Sequence, residues 1–256
     1  MSDRFSVEGR VAVVTGGGTG IGRASALLLA EHGADVVLAG RRPEPLEQTA
    51  AEIEQLGRRA LAAPTDVTDA ARCQDLVDRT LQEFGRLDIL VNSAGGAPLR
   101  PILDVTEQEW QDILALNLGS AWFLSRCAAH HMIGRQKGAI VNISSGASML
   151  AMPPAAVYGA AKAALNSLTG SMAAAWTGQG VRVNGIAVGA VRAATLTDEA
   201  QRMGLDAEDF GRNNGLGRLG DPDEIAHGVL FFASDASSFC SGQTLRMHGG
   251  PGASGV

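Results

Sequence analysis

The feature that most constrains this chain is a rhythm of short apolar runs separated by longer stretches of helical period. "VAVVT" (11–15), "DVVLA" (35–39), "RALAA" (59–63), "DILV" (88–91), "AIVNIS" (139–144), "VRVNGIAV" (181–188) and "QTLRM" (243–247) read as strands. Strands that are apolar almost throughout must be covered on both faces, which implies a parallel sheet between two layers of helices. Right-handed crossovers make a doubly wound α/β sheet the simplest topology. A chain of 256 residues, 45% hydrophobic and with 33 glycines, can bury one large core, so a single domain over 1–256 is expected. The longest stretch without clear pattern is 190–217, and a long loop in a compact domain is commonly functional.

Charge and composition exclude several classes of partner. The formal net charge is −6 and no block of like charges occurs, so neither a nucleic-acid footprint nor an anionic membrane surface is indicated. The opening "MSDRFSVEGR" is polar, and no apolar run reaches the roughly 18 residues of a membrane helix. A cytoplasmic protein is expected. Cys73, Cys127 and Cys240 are odd in number and widely spaced, which fits reduced packing residues better than a disulfide or zinc framework. His32, His130, His131, His227 and His248 have no metal-ligand spacing with carboxylates or thiols, so no metal is expected.

Ligands of an open parallel sheet bind beyond the carboxyl ends of the strands. The first strand runs into "TGGGTGIG", with Gly16, Gly20 and Gly22 between strand and helix, and Ala24, Leu27, Leu28 and Ala30 as the helix's expected apolar face. Glycines permit the tight turn and close approach of backbone to phosphate, and the helix N-terminus favours the anion. A dinucleotide site follows. The second strand ends where an acidic residue would hold the ribose hydroxyls of NAD, yet the row reads Gly40, Arg41, Arg42. Without the carboxylate, and with guanidinium forks suited to a phosphate, NADP(H) is the expected cofactor.

Further along, "VYGAAKAAL" carries Tyr158, the only tyrosine, and Lys162 one helical turn later. In a helix these two share a face. Taken in order, "TGGGTGIG" (15–22), "DV" (66–67), "NSAG" (92–95), Asn117, "NISS" (142–145), "YGAAK" (158–162) and "SGQTLRMHGG" (241–250) resemble the signature of the classical short-chain dehydrogenase/reductase family over essentially the whole chain.

The resemblance implies a seven-stranded Rossmann fold and a catalytic tetrad of Asn117, Ser145, Tyr158 and Lys162. Ser144 is the rival for the serine role but lies one residue off the pattern. In such enzymes the tyrosine exchanges a proton with the substrate oxygen while nicotinamide exchanges hydride with carbon. A phenol's reference pKa near 10 suits that role poorly, and an adjacent cation is expected to lower it. The lysine also binds the nicotinamide ribose, the serine steadies the substrate oxygen, and the asparagine holds a water in a proton relay. Cofactor contacts carry over to Thr15, Gly16, Gly18, Thr19, Gly20, Ile21 and Gly22, to Arg41 and Arg42, to Asp66 and Val67 at the adenine, to Asn92, Ala94 and Gly95, to Tyr158 and Lys162, and to Gly189 and Val191 at the carboxamide. The chain departs from the pattern at Val188, Ala193 and His248, where proline, threonine and an acidic residue are common.

The same resemblance assigns 193–220 to a substrate lid and suggests a homotetramer, with a dimer as the alternative. From Pro154 to Gly180 the only charge is Lys162, so the helix there lacks a polar face and calls for cover all round. The segment about 106–133 is its expected partner. Met149, Leu150 and Met152 before the tyrosine offer a soft apolar wall, which points to an apolar ketone or secondary alcohol as the small-molecule substrate. Reduction of 3-oxoacyl groups on an acyl carrier is the alternative, although only Arg135 and Lys137 stand where a basic docking surface is expected. A non-catalytic NADP-binding protein and an extended-family epimerase or dehydratase are further alternatives. The intact tyrosine and lysine argue against the first, and the glycine spacing and chain length against the second.

Overall fold

The computed structural model describes residues 4–202, 204–212 and 214–251. Its seven strands are β1 (Val11–Thr15), β2 (Asp35–Gly40), β3 (Ala60–Pro64), β4 (Ile89–Asn92), β5 (Gly138–Ser145), β6 (Val181–Val188) and β7 (Thr244–Met247). They form one sheet in the order β3-β2-β1-β4-β5-β6-β7, parallel at every pairing. Each strand expected from the sequence is present, with ends shifted by no more than one residue.

Alternation along the strands divides the core in two, because successive side chains point to opposite faces. Ala12, Val14, Val36, Leu38, Ile89, Val91, Val141 and Ile186 face one layer, built by α1 (Gly20–Glu31), α2 (Pro43–Gln55) and α9 (Pro222–Ala233). Val13, Val37, Leu90, Ile140, Val181 and Val183 face the other, built by α3 (Ala70–Phe84), α5 (Ser120–Gly134) and α6 (Ala156–Trp176). Of the expected apolar face of α1, Ala24 and Ala30 are buried and Leu27 and Leu28 are half-buried against the core, while Ala26 and Leu29 are buried in addition. The reason is that α1 packs beneath α9 as well as on the sheet.

Local chemistry explains where helices begin. Asp69 caps α3 by accepting from the amides of Ala71 and Arg72. Thr106 and Glu109 form a capping box at α4 (Glu107–Leu114), and Asp221 and Glu224 form another at α9, with Pro222 in its first turn. Between α4 and α5 the chain stays helical but widens into a π-turn over Ala115–Gly119. The poorly patterned stretch folds into two short helices, α7 (Ala194–Arg202) and α8 (Asp209–Arg212), and residues 203 and 213 of it lie outside the described residues. No helix among the described residues is long and apolar enough to cross a membrane.

Candidate active site

The strand order reverses between β1 and β4, and the carboxyl ends of those strands open the crevice in which ligands of such sheets bind. Gly16 turns the chain out of β1 at φ 69°, and Gly20 opens α1 at φ 53°. A Cβ on Gly22 would run into the Gly16 carbonyl, so helix and turn can close up only with glycine there. Thr19 is the exposed N-cap of α1 and makes no side-chain capping bond, so the first-turn amides of α1 are not satisfied by its hydroxyl. Gly18 packs on the start of α2, where a Cβ would sit 2.8 Å from Pro45. Ile21 is half-buried against the core.

Thr15 has another task. Its hydroxyl accepts from the amides of Ser93 and Ala94, each at 2.9 Å, and so ties the glycine turn to the segment leaving β4. Asn92 is likewise engaged inside the protein, donating to Asn142 Oδ1 at 2.8 Å and to Ser125 at 3.0 Å. Both build the floor of the crevice. At the far side Arg41 and Arg42 are exposed where β2 leads into α2. Asp66 accepts from the amide and hydroxyl of Thr68, and those bonds, helped by the nearby Arg41 charge, hold its carboxyl below the usual range. Val67 is buried and its carbonyl accepts from the Cys73 thiol.

The predicted tetrad comes together at the ends of β5, α6 and the π-turn. Tyr158 and Lys162 share a face of α6, with Lys162 Nζ 5.7 Å from the centre of the phenol ring. Ser145 ends β5, its hydroxyl accepts from the Ala147 amide at 3.2 Å, and its side chain lies near enough to the phenol to pull that group's pKa down. Ser144, by contrast, is buried and donates to the Lys162 carbonyl at 3.3 Å, facing the helix backbone and not the crevice. Lys162 is 4% exposed and donates to the Ile143 carbonyl at 2.9 Å. Burial lowers its pKa to about 8.

The phenol does not behave as the charge argument expects. Burial raises the Tyr158 pKa above its ordinary value, and Ser145 offsets this only in part. Desolvation outweighs the cation because Lys162 itself is buried, and its ammonium is turned to a carbonyl.

Asn117 lies in the π-turn, 1% exposed. Its Nδ2 donates to the carbonyls of Gly96 and Ile113 and its Oδ1 accepts from the Gly96 amide, all at 2.9 Å. Both Nδ2 protons are therefore engaged, and any water on this residue must use the remaining Oδ1 lone pair or the backbone. Gly95 sits against the pair: a Cβ there would lie 2.9 Å from Asn117 Oδ1 and 3.1 Å from Lys162 Nζ.

Across the crevice, Gly189 packs against His248, where a Cβ would meet its Cα at 2.7 Å. Val191 forms a parallel bridge with Gly220 that uses the Ala190 carbonyl and the Arg192 amide. That leaves Val191's own N–H and C=O directed to the opposite side. The nearest atom to a Cβ built on Gly20 is Ala193 Cβ, at 3.8 Å, so the glycine turn and the segment after β6 form the two walls of one cleft.

The sequence model of the family described as "Enoyl-(Acyl carrier protein) reductase" matches residues 16–251. Gluconate 5-dehydrogenase of Gluconobacter oxydans (strain 621H) is 38% identical over 251 residues, 97% of this chain and 96% of its own. This chain belongs to the short-chain dehydrogenase/reductase family. Cis-4-hydroxycyclohexanecarboxylate dehydrogenase of Sinomonas cyclohexanicum is 39% identical over 245 residues, 94% of this chain and 96% of its own. Among solved structures, a 7α-hydroxysteroid dehydrogenase in complex with NADH and 7-oxo-glycochenodeoxycholic acid superposes with a TM-score of 0.91 at 33% identity, covering 98% of this chain and 97% of that one.

As a short-chain dehydrogenase/reductase the protein is an oxidoreductase acting between alcohol and carbonyl, with a nicotinamide dinucleotide as cofactor. The glycine cradle fits such a group, since Gly16 and Gly20 hold positive φ and the first turn of α1 has no side-chain cap. The sequence reading missed the engagement of Asn117 with Gly96 and the bond from Leu99 to Glu199 described below. The only signal for the first was a glycine pair following β4.

Proposed function

We propose that the protein interconverts an apolar ketone and its secondary alcohol with NADP(H), and that Tyr158 is the general acid and base. The observation that carries this reading is the Tyr158 phenol beside Ser145 and one helical turn from Lys162, whose ammonium packs against Gly95 of the segment that adjoins the Gly16 turn. The cofactor, when bound, exchanges hydride with the carbonyl carbon. Tyr158 delivers its proton to the oxygen, and Ser145 donates a hydrogen bond to the same oxygen as negative charge develops there. Lys162 then steadies the phenolate and offers its remaining N–H groups to the cofactor's ribose. The raised phenol pKa suits proton delivery in the reducing direction at neutral pH. Asn117 fixes Gly96, and with it the loop that backs Lys162.

NADP is favoured by Gly40 in place of an acid and by two exposed guanidiniums beside it. An apolar substrate is favoured by the wall of Met149, Leu150 and Met152, with Leu150 67% exposed. The charged groups of 193–220 are mostly engaged with each other or with neighbours: Glu199 with Arg202, Asp209 with Arg212, Glu208 with Arg192 and Arg218 with Glu224. They leave little fixed charge for a polar ligand. The acyl-carrier alternative loses ground on geometry. Arg135 and Lys137 precede β5, whereas Ser145 ends it, and eight residues of strand separate the two by roughly 25 Å.

The test compares wild type with Tyr158→Phe and Arg41→Ala, using NADPH and NADH over β-ketoacyl thioesters, diketones, steroids and aromatic ketones. Tyr158→Phe is expected to lose about a hundredfold or more in turnover. Arg41→Ala is expected to lose roughly tenfold to a hundredfold in preference for NADPH, the value of one charge-assisted phosphate contact. Unchanged turnover in the first variant, or unchanged coenzyme ratio in the second, removes the corresponding role.

A further inference from the structure

The segment between β4 and α4 is held at three points. Gly96 is fixed by Asn117 through its amide and carbonyl. The Arg100 amide donates to the Pro154 carbonyl at 2.8 Å, just before α6. The Leu99 amide donates to Glu199 Oε2 at 3.2 Å. The first two anchors belong to the body of the domain, but Glu199 stands on α7, in the segment read above as a substrate lid. Its side chain is 16% exposed, whereas its ion-pair partner Arg202 is 67% exposed and reaches it from the solvent side.

We propose that Glu199 is a positioning residue that latches α7 onto the loop backing the tetrad. The proposal rests on the reading of 193–220 as the cover of the active site. The physical chain is short: Glu199 holds Leu99, the same loop carries Gly95 and Gly96, and those glycines pack against Lys162 Nζ and pair with Asn117. A carboxylate suits the task because it accepts strongly from a backbone N–H, and a half-covered amide left without a partner is costly. A single such bond is also weak enough to open and reform, as a cover that admits substrate and releases product requires. When α7 is down, the loop is pinned on both sides and the Lys162 ammonium has a fixed back wall. When α7 lifts, Leu99 passes to water and the loop keeps only its two inner anchors.

The experiment is amide hydrogen exchange on peptides covering 96–101, together with steady-state kinetics on the best substrate of the panel above, in wild type, Glu199→Ala and Arg202→Ala. Glu199→Ala is expected to speed exchange at Leu99 by about tenfold and to raise KM severalfold with a smaller change in kcat. Arg202→Ala keeps the latch, so its exchange at Leu99 should stay within about twofold of wild type. Unchanged exchange at Leu99 in Glu199→Ala overturns the latch. Faster exchange with unchanged KM and kcat overturns its positioning role. Because exchange is read without turnover, a failure to find a substrate leaves the exchange half decisive and bears only on the functional reading.

Discussion

At the scale of single residues, Lys162 is a buried cation whose proposed role is set against its cost in stability. An ammonium at 4% exposure with burial as the sole influence on its acidity is destabilising wherever it must be charged. Its pKa falls from 10.5 to about 8 on folding, so below pH 8 the folded chain bears the full cost of a buried charge. Between about 8 and 10.5 the unfolded chain binds more protons than the folded one, and stability rises with pH. Above that window both states are neutral and the cost is gone. Lys162→Met should therefore stabilise the cofactor-free protein at pH 7 by on the order of 1–3 kcal/mol, the lost bond to the Ile143 carbonyl offsetting part of the gain. The advantage should vanish near pH 10.5, while turnover is lost throughout. Urea unfolding at pH 7 and at pH 10 measures both, and a variant less stable than wild type at pH 7 would mean that the ammonium is well solvated by the protein.

The elements were legible to different depths, for physical reasons. Strands such as "VAVVT" and "VRVNGIAV" could be placed within one residue because burial on both faces leaves an unbroken apolar run. The closeness of Tyr158 and Lys162 was readable because the two lie one turn apart on one helix. Ser145 over Ser144 was a matter of spacing, and the structure separates them by the face of β5 each occupies. The π-turn at Ala115–Gly119 was not visible, since one extra residue in a helical turn barely disturbs a 3.6-residue period. Nor was the Leu99–Glu199 bond, whose partners lie far apart in the chain and meet only through the fold. The phenol pKa was misjudged because a charge argument in solution omits desolvation. Gly95 follows from this element-level view: its Cα is the wall between the π-turn and α6. Gly95→Ala should cost at least about tenfold in kcat while reducing stability by roughly 1–3 kcal/mol, since Asn117 and Lys162 must both shift to admit a methyl group. Full activity would show that these two side chains have slack.

At the scale of the molecule, α6 leaves open the question of what covers its outer side. Ala160, Ala163, Ala164, Ser167, Ser171 and Ala174 are exposed along one stripe, and Trp110 and Trp122 are exposed at 48% and 37% on the neighbouring helical segment. Small residues permit close approach of a second helix, and the exposed tryptophans on the neighbouring segment are large apolar side chains of the kind enriched at protein interfaces. A second such region lies at the sheet edge, where β7 is short and carries exposed Leu245, with Phe239 fully exposed nearby. Two separate faces, each pairing with its own copy, would generate a closed tetramer of two crossed dimers. We expect sedimentation of the wild type at micromolar concentration to give tetramers, and Ser167→Arg, a charge in the middle of the α6 stripe, to give dimers held by the β7 edge alone. Because the stripe runs along the same helix that carries Tyr158 and Lys162, the dimeric variant should also lose part of its turnover. A wild type that sediments only as monomer would leave the two faces to other partners and remove assembly from the account of the active site.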